Sequence, residues 1–459
     1  MRTADQGVKY QALLLIKAAI TDDPQRALTS WNGLTNHCTW AHVTCDPSHY
    51  HVTALDLSKL NLSGTLSPEL AHLRFLSRLS VGDNQLSGNI PSELGRLMSL
   101  KYMNLSSNML TGEIPSSFAE LKNLTLLSLL SNQLQGGIPE FIGDLPEIEV
   151  LELSANNFTG SIPQGLGKNG KLQHLDLSLN KLTGTLPPNL CTGNRLQSLI
   201  TMGNFLFGPI PETLGKCQSL ILIQMGQNYL DGSIPRGLLG LPRLSAVFLE
   251  DNNLTGGFPE TDTMSVSLVV ISLSNNQLSG PLLPSIGNFS GLQDLYLGRN
   301  RFKGPIPSEI GRLQQLVGIS FSHNKFSGPI VPEISRCKLL SYVDLSHNEL
   351  AGEIPNEITV MKDLSSLNLS RNHLVGRIPA LIEVMQNLTS VDFSYNNLSG
   401  YVPATGQYIY FKPSSFQGNP NLCGPYIRPC KDRVAKAAAR STSIWMIIWP
   451  FYVYVLFNE

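Results

Sequence analysis

An excess of charge of either sign is what this sequence most plainly lacks. Lys and Arg number 33 and Asp and Glu 34, a net charge of −1, so no bulk attraction to nucleic acid or an anionic membrane is built in. Charge of any sign is scarce, at 15% of residues, where ordinary domains carry about 25%. With 42% hydrophobic residues, that scarcity excludes a disordered chain. Aromatics are only 7%. The apolar stretch Ile444 to Phe457 is fourteen residues long and broken by Pro450, short of the roughly 20 that a bilayer span needs. Residues 1–9 are polar and show no apolar core with a small-residue cleavage site, the mark of a secretory leader.

What is present is a period. The pattern Leu79, Val81, Asn84, Leu86, Gly88, Ile90, Pro91 returns at Asn108, Asn132, Asn156, Asn180, Asn204, Asn228, Asn252, Asn276, Asn300, Asn324, Asn348, Asn372 and Asn396, always 24 residues on. An earlier copy carries Leu60 in place of Asn, which makes fifteen copies, all with Gly four places later, from Gly64 to Gly400. A period without insertions predicts a solenoid of mixed short strands and helical turns. The two apolar residues before each Asn occupy alternate positions and so share one face of a short strand. The Asn side chain can satisfy backbone groups that a stack of turns leaves unpaired. Gly88 suits a tight turn, Ile90-Pro91 starts a second extended edge, and Ser92 to Leu100 reads as a helical or 3₁₀ segment.

Cysteine is limited to seven residues. Cys38 and Cys45 precede the first copy and Cys423 and Cys430 follow the last, each pair where an open end needs covering. Both read as capping disulfides and imply an oxidising, secretory compartment; the leader would then lie outside this sequence. Cys217 and Cys337 take positions where other copies carry Leu, so both read as small core hydrophobes. Cys191 lies one coil before Cys217, and the residues leave open whether the two are bridged; Cys337 would then be free and buried. The cluster His37, Cys38, His42, Cys45, His49 and His51 has zinc-like residue types, but cap pairing accounts for the cysteines. We expect no metal and no cofactor. A formal G-x-G-x-x-G at Gly165 to Gly170 lies within a repeat rather than in a βαβ unit and carries no nucleotide reading.

The chain divides into an N-terminal cap (1–51), the solenoid (52–403), a C-terminal cap (404–430), a basic linker (431–443) and an apolar tail (444–459). The tail is either a truncated membrane segment or an unrelated, misread end. Tyr10 to Ile20 reads as an amphipathic helix ended by Asp22, Asp23 and Pro24. Nine N-x-S/T sequons occur, several forced by the repeat pattern. Asn123, Asn288 and Asn387 are not forced and are the expected glycosylation sites. On each strand, the residues six, four, two and one before the ladder Asn are expected to face the concave side, where Phe248, Tyr296 and Tyr342 would be exposed aromatic anchors. No pocket with a catalytic pair is implied, so no enzyme activity is expected of this chain.

The repeat L-x-x-L-x-L-x-x-N-x-L-[ST]-G-x-I-P, with the cap residues Ser30-Trp31, Cys38-Thr-Trp40 and Val43-Thr-Cys45, resembles the extracellular part of plant leucine-rich-repeat receptor kinases. His42 stands where that family usually has Gly. Segments such as Glu140 to Pro146, Gly203 to Phe207, Ile334 to Leu340 and Gly418 to Tyr426 are similar to the CLAVATA/Barely-Any-Meristem class, receptors of small secreted CLE-type peptides. The resemblance implies a right-handed leucine-rich-repeat superhelix, a peptide ligand or a co-receptor kinase as partner, and a place at the cell surface or in the apoplast. Members of the class have more than twenty repeats and a cytoplasmic kinase; this sequence has fifteen repeats and none of the V-A-I-K, H-R-D or D-F-G kinase signatures.

Members often hold the peptide's terminal carboxylate with Arg-x-Arg, and the matching positions here are Leu222 and Gln224. Without that charge-assisted fork, roughly 2–5 kcal/mol of binding could be missing. Peptide contacts are therefore expected from Leu222, Gln224, Phe248, Asp251, Asp294 and Tyr296. The family's placement of the co-receptor on the last repeats implies Tyr342, His347, Arg371 and Tyr395. Two other readings stand beside this one: a decoy or inactive fragment of a receptor kinase, and a kinase whose catalytic part lies outside this sequence.

Overall fold

Alternating apolar residues fix the strands. In a computed structural model that describes residues 2–47, 51–260 and 265–430, each 24-residue copy contributes one three- to five-residue front strand that ends four residues before the ladder position. The chain divides into two compact units, Met1–Thr261 and Asp262–Glu459. In the first, nine parallel strands run from Val52–Asp56 to Ala246–Phe248. In the second, six run from Val270–Ser272 to Ser390–Asp392. These strands form the front sheet of each unit. Partners lie 24 residues apart, as Leu199↔Ile223↔Val247 and Leu295↔Ile319↔Val343 do.

The inward side chains make the core. Leu79, Leu127, Leu175, Ile223, Leu295 and Leu367 are each no more than 1% exposed, and truncating one such Leu or Ile to Ala costs about 2–5 kcal/mol. Behind them, 3₁₀ turns such as Ser92–Arg96 and Ser308–Arg312 return the chain and bury Leu94 and Ile310. A second, side sheet in the first unit joins Ser63–Thr65, Gln85–Asn89, Met109–Gly112, Gln133–Gly137 and Asn157–Thr159. In the Asn84 copy its strand begins at Gln85, right after the ladder Asn, and not at Ile90-Pro91 as the Pro suggested. Glycine is required inside it. Gly112 has φ +79, and a Cβ there would sit 2.7 Å from Asn89 Oδ1.

The ladder is laid out coil by coil. Asn348 Nδ2 donates to Phe321 O of the preceding coil at 2.9 Å and to Leu345 O and Ser346 O of its own at 3.1 Å. Its Oδ1 accepts from Phe326 N at 3.0 Å. The same set recurs at Asn108, Asn180 and Asn372. The amide closes a turn in which the residue before the Asn is left-handed: φ is 57° at Asp83, 54° at Leu179, 53° at Arg299 and 54° at Arg371. For non-glycine residues that conformation costs on the order of 1–2 kcal/mol, and the ladder bonds hold it in place.

Repeat logic continues past Gly400, where the sequence pattern had seemed to end. Asn419 lies 23 residues after Asn396 yet does the same work, donating to Phe393 O at 2.9 Å and Phe416 O at 3.0 Å and accepting from Leu398 N at 3.0 Å. Ser399–Tyr401 pairs with Asn421–Cys423 beside it. At the other end, two antiparallel strands cover the open edges: Val43–Cys45 on Val52–Asp56, and Ile20–Asp22 on Ser63–Thr65, as unpaired sheet edges require. The N-terminal helix spans Arg2–Ala18, and Ile20 belongs to the strand rather than to the helix. Trp31 stacks on Trp40 at 5.6 Å and donates from its indole to Ala41 O at 2.9 Å. Three disulfides form, Cys38–Cys45, Cys191–Cys217 and Cys423–Cys430, with Cα separations of 5.6, 6.0 and 5.0 Å. Cys337 is free and buried.

Among the described residues, no helix is long and apolar enough to cross a membrane. The linker and tail (431–459) and His49 lie outside the described residues.

Candidate functional site

Strand alternation that buries Ile223 turns Leu222 and Gln224 to the front, both half-buried. In the first unit they neighbour Phe248, because Gln224 pairs with Phe248 and Leu222 with Ala246. Asp251 is not on the strand with Phe248. It occupies the left-handed turn position before Asn252, φ 57°. Positions two before the Asn were expected at the surface, but most are buried small residues; Ser106, Ser178, Ser346 and Ser394 are all at most 7% exposed. Their carbonyls serve the ladder, as those of Ser106 and Ser346 do. The large exceptions are Leu130, Met202 and Glu250, and of these Glu250 alone is charged. Its Oε2 is out of solvent with no hydrogen-bond partner, a ready acceptor for an N–H or cation. Its signal in the sequence was the single carboxylate in a column held mostly by Ser and Gly.

The second unit carries a different arrangement. Tyr296 Oη donates to Asp294 Oδ1 at 2.8 Å. Burial, followed by that hydrogen bond and the charge of Asp294, pushes the Tyr296 phenol up to about 12. Room for the pair comes from Gly318 on the next strand, where a Cβ would lie 2.6 Å from Asp294 Oδ1 and 3.1 Å from Tyr296 Oη. Sequence reasoning passed over Gly318; its signal was a glycine in a column of larger side chains. Tyr342 follows Gly318 in register and is 40% exposed. Its phenol is also raised, by burial first and then by Asp344.

The left-handed column makes a continuous stripe in this unit: Arg299, His323, His347, Arg371, Tyr395. His323 and His347 stack with ring centroids 3.9 Å apart and planes 15° from parallel. The Arg371 guanidinium lies 4.1 Å over the Tyr395 ring, a cation–π contact. Both imidazoles are held below the usual histidine range. For His323 the cause is burial, then Arg299 and Arg371, with Asp344 opposing. For His347 it is burial, then His323, Arg371 and Arg299, again against Asp344. Tyr342 sits at the other end of its strand, in a different column from His347.

The remaining sequence candidates fall at the caps and the turns. Cys38 and Cys45 lie close to His37, but as disulfide partners they offer no thiolate to a metal. His51 bonds Asp46 at 3.3 Å and packs on Phe75. Asn123 and Asn387 are exposed on the helical side, and their amides donate to Met98 O and Lys362 O at 2.8 Å. Asn288 ends the turn Pro284–Asn288 and is half-buried.

Front-facing side chains on a ladder-bonded, cysteine-capped stack of 24-residue coils define a leucine-rich-repeat protein. Residues 10–46 match the leucine rich repeat N-terminal domain, and eight segments between 75 and 385 match the leucine rich repeat itself. More particularly, the chain is similar to the ectodomains of plant leucine-rich-repeat receptor kinases. A crystal structure of a TDR receptor is 38% identical with a TM-score of 0.78, over 82% of this chain and 65% of that one. The Arabidopsis receptor kinase HAESA, in complex with the peptide hormone IDA and the co-receptor SERK1, is 27% identical with a TM-score of 0.51, over 92% of this chain and 99% of that one. A probable LRR receptor-like serine/threonine-protein kinase of Arabidopsis thaliana is 39% identical over 74 residues, 16% of this chain and 7% of that protein. The match thus spans a small part of the full-length kinases.

Proposed function

We propose that this chain is an extracellular ligand-recognition module of a receptor-like protein in the CLAVATA/Barely-Any-Meristem class. It takes a secreted peptide on a front sheet, a co-receptor kinase on the last coils, or both. The supporting observation is that aromatic and charged side chains sit at least partly exposed at front positions outside the ladder and the leucine core: Phe248, Tyr296, Tyr342, Arg371 and Tyr395. Half-exposed rings on a rigid sheet are the anchors that interfaces favour. Similarity to a receptor solved with a peptide hormone and a co-receptor points the same way.

Isothermal titration of the secreted chain with CLE-type peptides tests the peptide half of this reading. Saturable heat at or below micromolar peptide supports it. No heat at high micromolar peptide in a folded sample defeats it. The inactive-fragment reading, favoured by the uncharged Leu222 and Gln224, would then stand for the peptide.

A further inference from the structure

The residue that follows each ladder Asn forms a column on the side of the stack, and neighbours in that column touch across coils. Gln85 Nε2 donates to Asn61 Oδ1 at 2.7 Å, and Arg301 to Gln277 Oε1 at 3.1 Å. In the first unit the column reads Phe205, Tyr229, Asn253, and the backbone keeps the three in step. Their amides donate to Leu182 O, Leu206 O and Leu230 O, each at 2.8 Å. Phe205 and Tyr229 stack with centroids 6.2 Å apart and planes 15° from parallel, yet remain 46% and 54% exposed. A stacked aromatic pair half in water is costly apolar surface for a scaffold whose leucines are nearly all hidden. Phe205 covers one face of Tyr229. On the side away from Phe205 runs the coil that carries Asn253, one strand spacing of about 4.8 Å away.

Asn253 opens the sequon Asn253-Leu254-Thr255, with Asn253 and Thr255 exposed and Leu254 buried. We propose that Asn253 carries an N-linked glycan whose first N-acetylglucosamine packs on the Tyr229–Phe205 stack. The transfer replaces one N–H of the Asn253 carboxamide with a bond from Nδ2 to the anomeric carbon of a lipid-diphosphate-linked oligosaccharide; the lipid diphosphate leaves and the displaced proton goes to solvent. Transfer happens as the chain enters the secretory pathway, before folding, so the coil does not hinder it. Once the coil is folded, the C–H face of the pyranose can lie against the aromatic face, gaining dispersion contact and removing apolar surface from water. The occupant is thus a sugar of this chain rather than a second protein. The inference needs the secretory route of the proposed function but no ligand.

The test uses the full chain secreted from a host that makes high-mannose glycans. Glycopeptide mass spectrometry reads occupancy, and hydroxyl-radical footprinting reads exposure of Tyr229 and Phe205. We expect Asn253 occupied, and both rings protected in the intact glycoprotein and after an endoglycosidase trims each glycan to one N-acetylglucosamine. Asn253→Gln, and Thr255→Ala, which keeps the carboxamide but destroys the sequon, should each raise oxidation of both rings severalfold and leave Tyr410 unchanged. Oxidation rates that ignore the sugar overturn the proposal, as does an unmodified Asn253. Occupancy of Asn123 or Asn387 in the same sample shows whether the secretory reading fails along with it.

Discussion

His323 and His347 lie face to face, 3.9 Å between ring centroids, with Arg299 and Arg371 in the same column. Burial and these cations hold both imidazoles below the ordinary range, and Asp344 pulls against them. The folded state therefore prefers both rings neutral. Below about pH 6.5, the unperturbed histidine pKa, the unfolded chain takes up protons that the folded chain refuses. Stability from this pair is complete above that pH and is lost as pH falls through it towards the depressed folded values. Urea midpoints measured between pH 7.5 and 5 should decline, and His323→Asn with His347→Asn should flatten the decline. An NMR titration with either imidazole at or above the free value would contradict this account.

Tyr296 predicts the opposite limb. Its phenol is raised to about 12, so the folded state keeps the proton that the unfolded chain releases near pH 10. Stability from this group is complete below pH 10 and is lost as pH rises towards 12. Ultraviolet titration should show the Tyr296 phenol ionising far later than free tyrosine, as one of several raised tyrosines with Tyr342 and Tyr408. Tyr296→Phe should remove that step, and Asp294→Asn should lower it by taking away a negative neighbour.

The ladder predicts a local failure. Asn348→Ala removes three donated bonds and the acceptor for Phe326 N at a site 7% exposed. Leaving buried backbone groups unpaired costs roughly 1–3 kcal/mol for each one that water cannot reach. Loss of about 2–4 kcal/mol is expected in urea, with amide exchange fastest around Phe326. Asn348→Asp should fare no better, since a carboxylate cannot donate. A near-neutral Asn348→Ala would refute the role given to the ladder.

Leu222 and Gln224 predict a gain of function. Leu222 is flanked by Ser198 and Ala246, so the front has room for a longer side chain. Leu222→Arg with Gln224→Arg should tighten binding of a CLE-type peptide with a free C-terminal carboxylate by about tenfold or more, about 1.4 kcal/mol for each tenfold. An amidated peptide should gain little. Equal gain for both would sink the carboxylate mechanism.

Cys337 offers a simpler check. Its thiol is fully buried, and burial pushes it up to about 11, with Lys338 pulling slightly the other way. It should resist a thiol reagent at pH 8 in the native protein and react at once in urea.

The strands and core were legible in the sequence because alternation and a 24-residue period fix which side chains point inward. The Asn ladder was legible for the same reason: a polar residue at a constant place needs a constant partner. Four features were not. The turn before each Asn is left-handed although Ala155, Leu179 and Arg371 are not residues that favour that shape; tertiary bonds impose it. Asn419 was hidden by a spacing of 23. The side-sheet strand that follows Asn84 starts at Gln85, since Pro91 marks only the N-cap of the 3₁₀ turn that follows it. Pairings on the front, such as His323 with His347, join residues one coil apart and emerge only when the sequence is read down columns.

Each ladder amide reaches backwards. Asn348 serves one carbonyl and one amide of the coil before it as well as its own turn, and Asn419 closes the last coil in the same direction. Cutting out 24 consecutive residues between two ladder Asn, away from the Cys191–Cys217 bridge, removes one Asn together with one set of groups that needed it, and the next Asn meets equivalent partners. Recombination between coils can therefore lengthen or shorten such a molecule in whole steps without leaving unpaired groups at the join. Chain length becomes a freely varied trait, while the caps and the chemistry of the front columns remain open to selection.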